Sequence, residues 1–203
     1  MIAPAGVILA GGRATRMGGG DKGLLALDGR TILERVIARV SPQVEQLALN
    51  ANGDPARFAR FRLPVLPDGR EDRPGPLAGV LAGLDWAAGR GATHVVTVAA
   101  DTPFFPGDLV PQLLLAAEAQ GKPIALAATP DGTGGVRRHP TFGLWPVALR
   151  ADLRAALDGG LRKVVSWTDR HGTALAAFPV DRGDPFFNVN TPEDLVAAEE
   201  MAR

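Results

Sequence analysis

The chain has 203 residues, 46% hydrophobic and 22% charged, and its 22 basic side chains balance 22 acidic ones, so no global charge points to nucleic acid. It contains no cysteine, which excludes disulfides, thiolate metal sites and thiol nucleophiles. Length and composition suit one domain over residues 1–203 with a substantial core, no apolar run reaches the ~18 residues of a membrane span, and no basic flank marks a signal peptide; the expectation is a cytoplasmic protein.

Val7-Ile8-Leu9-Ala10 is an apolar run of strand length, ended by Gly11-Gly12. A glycine-rich loop follows, carrying Arg16 and closing on Asp21-Lys22. Glycines let backbone N–H groups approach a ligand, and the two cations sit beside those donors, so the loop suits a phosphate chain; a plain tight turn is the simpler alternative. Two familiar phosphate motifs do not fit. The G-x-G-x-x-G at Gly18, Gly20 and Gly23 starts well after the strand, and the next strand ends at Asn50 rather than an acid. A Walker A loop needs glycine where Asp21 precedes the lysine.

Thr31 and Glu34 form a capping box for an amphipathic helix through Val40, ended by Pro42. Gln46 to Asn50 reads as a strand leading into the polar turn Asn50–Gly53, Pro55 to Phe61 as a short helix, and Leu63 to Leu66 as a strand with Asp68 at its exit. After the proline- and charge-rich loop Gly69–Pro76, Leu77 to Ala88 is a helix with small residues at Ala78, Gly79, Ala82 and Gly83. Thr93 to Ala100 is a valine-rich strand buried on both faces, as in a parallel sheet, and it runs into Asp101-Thr102-Pro103.

A helix over Asp108–Gln120, a strand over Pro123–Ala128, a Gly/Arg-rich loop over Asp131–Arg138 and a strand over Thr141–Trp145 come next. Helices over Ala148–Leu157 and Leu161–Asp169, a strand over Ala174–Phe178 and a helix capped by Thr191 complete the chain. Alternating strands and helices of this spacing predict an α/β fold with a mostly parallel sheet. His94, His139 and His171 lack metal-ligand spacing.

Ligands of open α/β sheets bind beyond the carboxyl ends of the strands. The glycine loop, Asn50, Asp68 and Asp101 all fall there. Asn50 and Asp68 offer hydrogen-bonding groups to a base or ribose, although either also suits a turn. Asp101, ending an apolar strand, needs a partner or a metal, most simply Mg²⁺ that bridges phosphates.

The string Leu9-Ala10-Gly11-Gly12, Arg16-Met17-Gly18-Gly19, Asp21-Lys22 resembles the signature loop of the molybdenum cofactor guanylyltransferases (the MobA family), nucleotidyltransferases built on a nucleotide-diphospho-sugar transferase fold. Asn50-Ala51-Asn52, Gly75-Pro76-Leu77-Ala78-Gly79, Asp101-Thr102-Pro103, His139-Pro140 and Asn188 to Asp194 extend the resemblance in order. It implies a single Rossmann-like, three-layer α/β/α domain whose N-terminal part binds GTP and whose C-terminal part binds molybdopterin. GTP contacts are implied for Leu9, Ala10, Gly11, Gly12, Lys22, Asn50, Asp68, Gly79 and Asp101, with Mg²⁺ on Asp101. Molybdopterin contacts are implied for His139, Pro140, Asn188 and Asn190, and Arg16, Lys22 and Asp101 become the catalytic set. The implied reaction is attack of the molybdopterin phosphate on the α-phosphate of GTP, without a protein nucleophile. Other cofactor-biosynthesis proteins, target molybdoenzymes or their chaperones are the implied partners, with no nucleic acid and no membrane. Cytidylyl transfer, nucleotidyl transfer to a sugar phosphate and a non-catalytic nucleotide-binding module remain the alternatives. Gly134–Arg138 matches the family pattern poorly, and its role stays open.

Overall fold

The computed structural model describes residues 4–11, 21–69, 75–181 and 183–202. The strands are β1 (Ala5–Leu9), the short hairpin β2 (Ala26–Leu27) and β3 (Arg30–Thr31), β4 (Leu47–Asn50), β5 (Val65–Leu66), β6 (His94–Ala99), β7 (Ile124–Pro130), β8 (Val136–Pro146) and β9 (Thr173–Ala177). The helices are α1 (Ile32–Val40), α2 (Pro76–Ala88), α3 (Leu109–Gln120), α4 (Arg150–Asp158), α5 (Val164–His171) and α6 (Pro192–Ala202). Seven strands form one sheet in the order β5-β4-β1-β6-β8-β7-β9. Its pairs are parallel except those of β8, which runs antiparallel to both β6 and β7.

The period of two along each strand sorts the side chains onto two faces. Ile8, Leu49, Val96, Val98, Ala125 and Ala127 pack with α1, α3 and α6. Val7, Val95, Ile124 and Leu126 pack with α2, α4 and α5. Apolar side chains on both faces are what a sheet covered twice requires, and the outcome is the three-layer α/β/α arrangement. Among the described residues no helix is long and apolar enough to cross a membrane.

Helix α1 begins as the sequence indicates: the Glu34 N–H donates to Thr31 Oγ1, and the Thr31 N–H donates to Glu34 Oε2 at 2.6 Å. Helix α2 lies close on β1 and β4 because it carries glycine where their side chains stand. A Cβ on Gly83 would stand 2.8 Å from Val7 Cγ2, and one on Gly79 would run into Asn50 Oδ1.

The sequence reading needs correction in two places. Residues 136–138, read as loop, belong to β8, and β6 has a parallel neighbour on one side only. Beyond Gly143 the register of β8 on β7 jumps, from Leu126 opposite Gly143 to Ala127 opposite His139. The intervening bulge accommodates Pro140, which has no N–H to give a ladder. The Trp145 indole N–H donates to Thr97 Oγ1 at 2.8 Å, and that hydroxyl donates to the Thr141 carbonyl at 2.9 Å, pinning β8 to β6 beside the bulge. Second, the hairpin β2–β3 was not anticipated; its turn puts Asp28 and Gly29 at positive φ. The short helix expected over Pro55–Phe61 is present, as a 3-10 helix.

Gly83→Ala should lower stability by about 1–3 kcal/mol, the usual range for overpacking, read from the urea midpoint. An unchanged midpoint would show that α2 can shift off β1 freely.

Candidate active site

The carboxyl ends of β1, β4 and β6 open onto a single rim, and three segments converge there. Lys22 begins a 3-10 turn, Lys22–Leu24, at the exit of the glycine loop. Gly23 sets its place: a Cβ there would come 3.3 Å from Leu33 Cβ and 3.5 Å from the Ala100 carbonyl, so the chain passes between α1 and the end of β6. The hairpin behind it is tied to α1 by Arg35, whose guanidinium donates to the carbonyls of Leu27 and Asp28, each at 3.0 Å. Leu9, Ala10, Lys22 and Asp101 thereby line one small cleft with Phe58 and Leu33.

Asp101 stands just beyond β6. Its Oδ2 is 4.0 Å from Lys22 Nζ, and Thr102 Oγ1 donates to its Oδ1 at 3.3 Å. Burial pushes its pKa above the ordinary carboxylate value, only partly offset by the Lys22 ammonium and the Thr102 hydrogen bond. Such a carboxylate gains from a cation. Among the described residues no group of three or more His, Cys, Asp or Glu could hold a metal. One carboxylate therefore fits an ion bound mainly through water and substrate phosphate, the habit of Mg²⁺, rather than a protein-built cage.

The opposite wall comes from β4 and β5. Asn50, 3% exposed, donates through Nδ2 to the Leu66 carbonyl at 3.0 Å and to Asp68 Oδ1 at 2.9 Å. Asn52 Nδ2 donates to Asp68 Oδ2 at 2.8 Å, and the Asp68 N–H returns a bond to Asn52 Oδ1. With both its N–H groups used, Asn50 turns Oδ1 toward Gly79 and Gly11; a Cβ on Gly11 would lie 3.7 Å from it. Gly79 is thus close-packed against the Asn50 carboxamide, not only against Leu9 of β1. Arg57, which sequence reasoning missed, ties this wall to the glycine loop. Its Nε donates to Asp21 Oδ2 at 2.5 Å, and its terminal nitrogens donate to the carbonyls of Asp54 and Asn52. Arg57 is one of two arginines in that short helix, and nothing in the sequence signals that span.

The C-terminal candidates lie along the same rim. The Thr102 hydroxyl shares its one proton between Asp101 Oδ1 and Asn188 Oδ1, the Val189 N–H donates to the Asp101 carbonyl at 2.9 Å, and Lys22 Nζ donates to Asn190 Oδ1 at 2.6 Å. His139, on the projecting end of β8, shares a 2.9 Å hydrogen bond with Thr129 Oγ1 and stacks on Phe186 with centroids 4.3 Å apart. Beside it Arg137 meets Asp184 at 3.6 Å and Arg138 meets Asp169 at 2.6 Å. Gly12 and Arg16, with most of the glycine loop, lie outside the described residues. The structure thus brings Leu9, Ala10, Gly11, Lys22, Asn50, Asp68, Gly79, Asp101, Asn188 and Asn190 to one rim, with His139 farther along it.

Residues 6–174 match the family model described as MobA-like NTP transferase domain. A Bradyrhizobium sp. protein named molybdenum cofactor guanylyltransferase is 52% identical over 200 residues, covering 97% of this chain and 92% of that one. A Cereibacter sphaeroides protein of the same name is 52% identical over 198 residues, covering 98% and 96%. Among solved structures, molybdopterin-guanine dinucleotide biosynthesis protein A from Archaeoglobus fulgidus superposes with a TM-score of 0.73 at 24% identity, over 98% of both chains. A 4-diphosphocytidyl-2C-methyl-D-erythritol synthase from Anaerococcus prevotii also reaches 0.73, at 14% identity, over 98% of this chain and 95% of that one; at these identities the likeness is one of fold.

Burial lowers the pKa of His139 and of His94 below the ordinary 6.5, so each stays neutral in the fold at pH values where the unfolded chain takes up a proton. Their contribution to stability is complete above that value and is lost as pH falls through the lowered ones. Urea midpoints should therefore be lower at about pH 5.5 than at about pH 7.5. His139→Gln, which keeps a hydrogen-bonding group for Thr129, should flatten the difference; an undiminished difference would assign the pH dependence elsewhere.

Proposed function

The chain belongs to the MobA-like NTP transferase family, and from that premise we propose that it is a molybdenum cofactor guanylyltransferase, moving GMP from GTP to molybdopterin. The observation that carries the reading is the meeting of Lys22 and Asp101, 4.0 Å apart, at the exit of the glycine loop and beneath the Asn50–Asp68 wall. A cation and a proton-hungry carboxylate side by side suit a nucleotide's phosphates and the divalent ion that accompanies them.

In the reaction a phosphate oxygen of the acceptor forms a bond to the α-phosphorus of GTP while the bridging oxygen to the β-phosphate departs with its electron pair as pyrophosphate. The attacking oxygen is already ionised, so no side chain need remove a proton. Catalysis then rests on positioning and charge. Lys22 meets the departing phosphates, a task the family resemblance also assigns to Arg16. Asp101 would hold Mg²⁺, which when bound neutralises phosphate charge. The wall of acceptor oxygens, Asn50 Oδ1 and the Asp68 carboxylate, suits the N–H groups of guanine or the ribose hydroxyls.

His139, Asn188 and Asn190 on the continuing rim would receive the acceptor, and delivery by other cofactor-biosynthesis proteins to target molybdoenzymes or their chaperones follows from such a product. The same chemistry with CTP is the second reading, favoured by nothing on the rim. A non-catalytic nucleotide binder has no need of Asp101.

Calorimetry with GTP, CTP, ATP and NAD, with and without Mg²⁺, should show preference for Mg²⁺-GTP; preference for CTP would transfer the protein to the cytidylyl reading. Lys22→Ala and Asp101→Ala should each lower turnover by roughly 100-fold or more, the scale of losing one charge-stabilising contact, with the circular dichroism unchanged. Near-normal turnover in either variant would contradict the assignment.

A further inference from the structure

Two oxygens compete for the Lys22 ammonium. Asn190 Oδ1 accepts from it at 2.6 Å, while Asp101 Oδ2 stands off at 4.0 Å. An ammonium free to choose would close on a neighbouring carboxylate to about 2.8 Å, the ordinary charge-assisted distance. It does not close here. Asn190 is anchored from both directions. Its own N–H and that of Thr191 donate to Asp194 Oδ2, each at 2.9 Å, as part of the cap of α6. One residue earlier, the Val189 N–H holds the Asp101 carbonyl at 2.9 Å. The backbone that carries Asn190 is therefore referenced to Asp101 itself, and its side chain draws Lys22 away by a set amount.

We propose that Asn190 is a positioning residue for the nucleotide half of the site: its carboxamide oxygen keeps Lys22 from closing on Asp101. Ammonium and carboxylate then stay separately available, one to the nucleotide's phosphates and the other to a divalent cation. A neutral oxygen suits the task, because it holds the ammonium without cancelling its charge and yields it when phosphate arrives. Without Asn190 the pair collapses, and Mg²⁺-GTP must break an ion pair before it binds. This role rests on the guanylyltransferase reading and goes beyond it, since the family resemblance sends Asn190 to the acceptor.

The test is GTP binding measured by calorimetry with Mg²⁺ present and no molybdopterin. Asn190→Ala should weaken GTP by about tenfold, the scale of a hydrogen bond to a charged group. The near-isosteric Asn190→Leu should do the same; both keep the N–H that Asp194 accepts, and thermal melting identifies any variant that fails to fold. In a Lys22→Met background the Asn190 substitution should add nothing, because Asn190 acts through Lys22. Unchanged GTP affinity in the single variants, as expected of a residue serving only the acceptor, would overturn the proposal, as would an undiminished tenfold loss in the Lys22→Met background. Failure of the wild-type protein to bind Mg²⁺-GTP would instead overturn the functional reading beneath it.

Discussion

One ammonium group, brought from the N-terminal part of the chain to oxygens of its middle and its C-terminal part, is the point on which the rim depends. Lys22 lies 168 residues from Asn190, and Asp101 falls between them in sequence. Bringing the three together requires Gly23 to slip between Leu33 and Ala100, and requires the hairpin β2–β3 to be fastened by Arg35. It also requires the segment 188–190 to cross the end of β6, where Val189 and Asn188 bind the backbone of Asp101 and the side chain of Thr102. None of these contacts is strong alone, but each fixes a backbone that another needs. The cap of α6 is part of the same arrangement, since Asp194 holds the N–H of Asn190.

Strand β8 is the second constraint. An all-parallel sheet would have placed a crossover helix between β6 and its neighbour. Here β8 returns antiparallel, and its bulge at Pro140 lets the first half follow β7 alone, beyond the last pairing with β6. That half carries Arg137, Arg138 and His139 along the rim where Asp101 stands at the other end. The turn at 184–187 underlies both, placing Asp184 against Arg137 and Phe186 against His139. The rim is therefore continuous from the β4–β5 wall to the projecting end of β8, although its parts are far apart in sequence.

Much of this was legible in the residues. Strand lengths, the capping box at Thr31 and the strand exits at Asn50, Asp68 and Asp101 follow local rules, and the rim assembles because parallel strands share a carboxyl end. The family resemblance carried what spacing could not, the base and the acceptor. The failures have local causes too. Residues 136–138 read as loop because glycines precede them and their side chains find no core, whereas pairing with β7 alone makes them strand. The hairpin at Asp28–Gly29 has strands of two residues each, too short for any periodicity to register. Arg57 looked like one surface arginine among several, because a tether between Asp21 and the Asn52 turn exists only in three dimensions.

The rim carries the carboxylates of Asp21, Asp68 and Asp101, and their partners decide what each of these three can do. Asp21 is bound by the Arg57 guanidinium. Asp68 accepts from the amides of Asn50 and Asn52, which satisfy its oxygens without adding charge. Burial raises the pKa of Asp101, and the Lys22 ammonium at 4.0 Å and a weak hydroxyl contact only partly offset the loss of water. Of the three it has most to gain from a second cation, and it stands closest to the lysine that would meet a phosphate. The rim thus distinguishes carboxylates that hold structure from one kept short of charge, and that shortage is what a divalent ion arriving with a nucleotide can relieve.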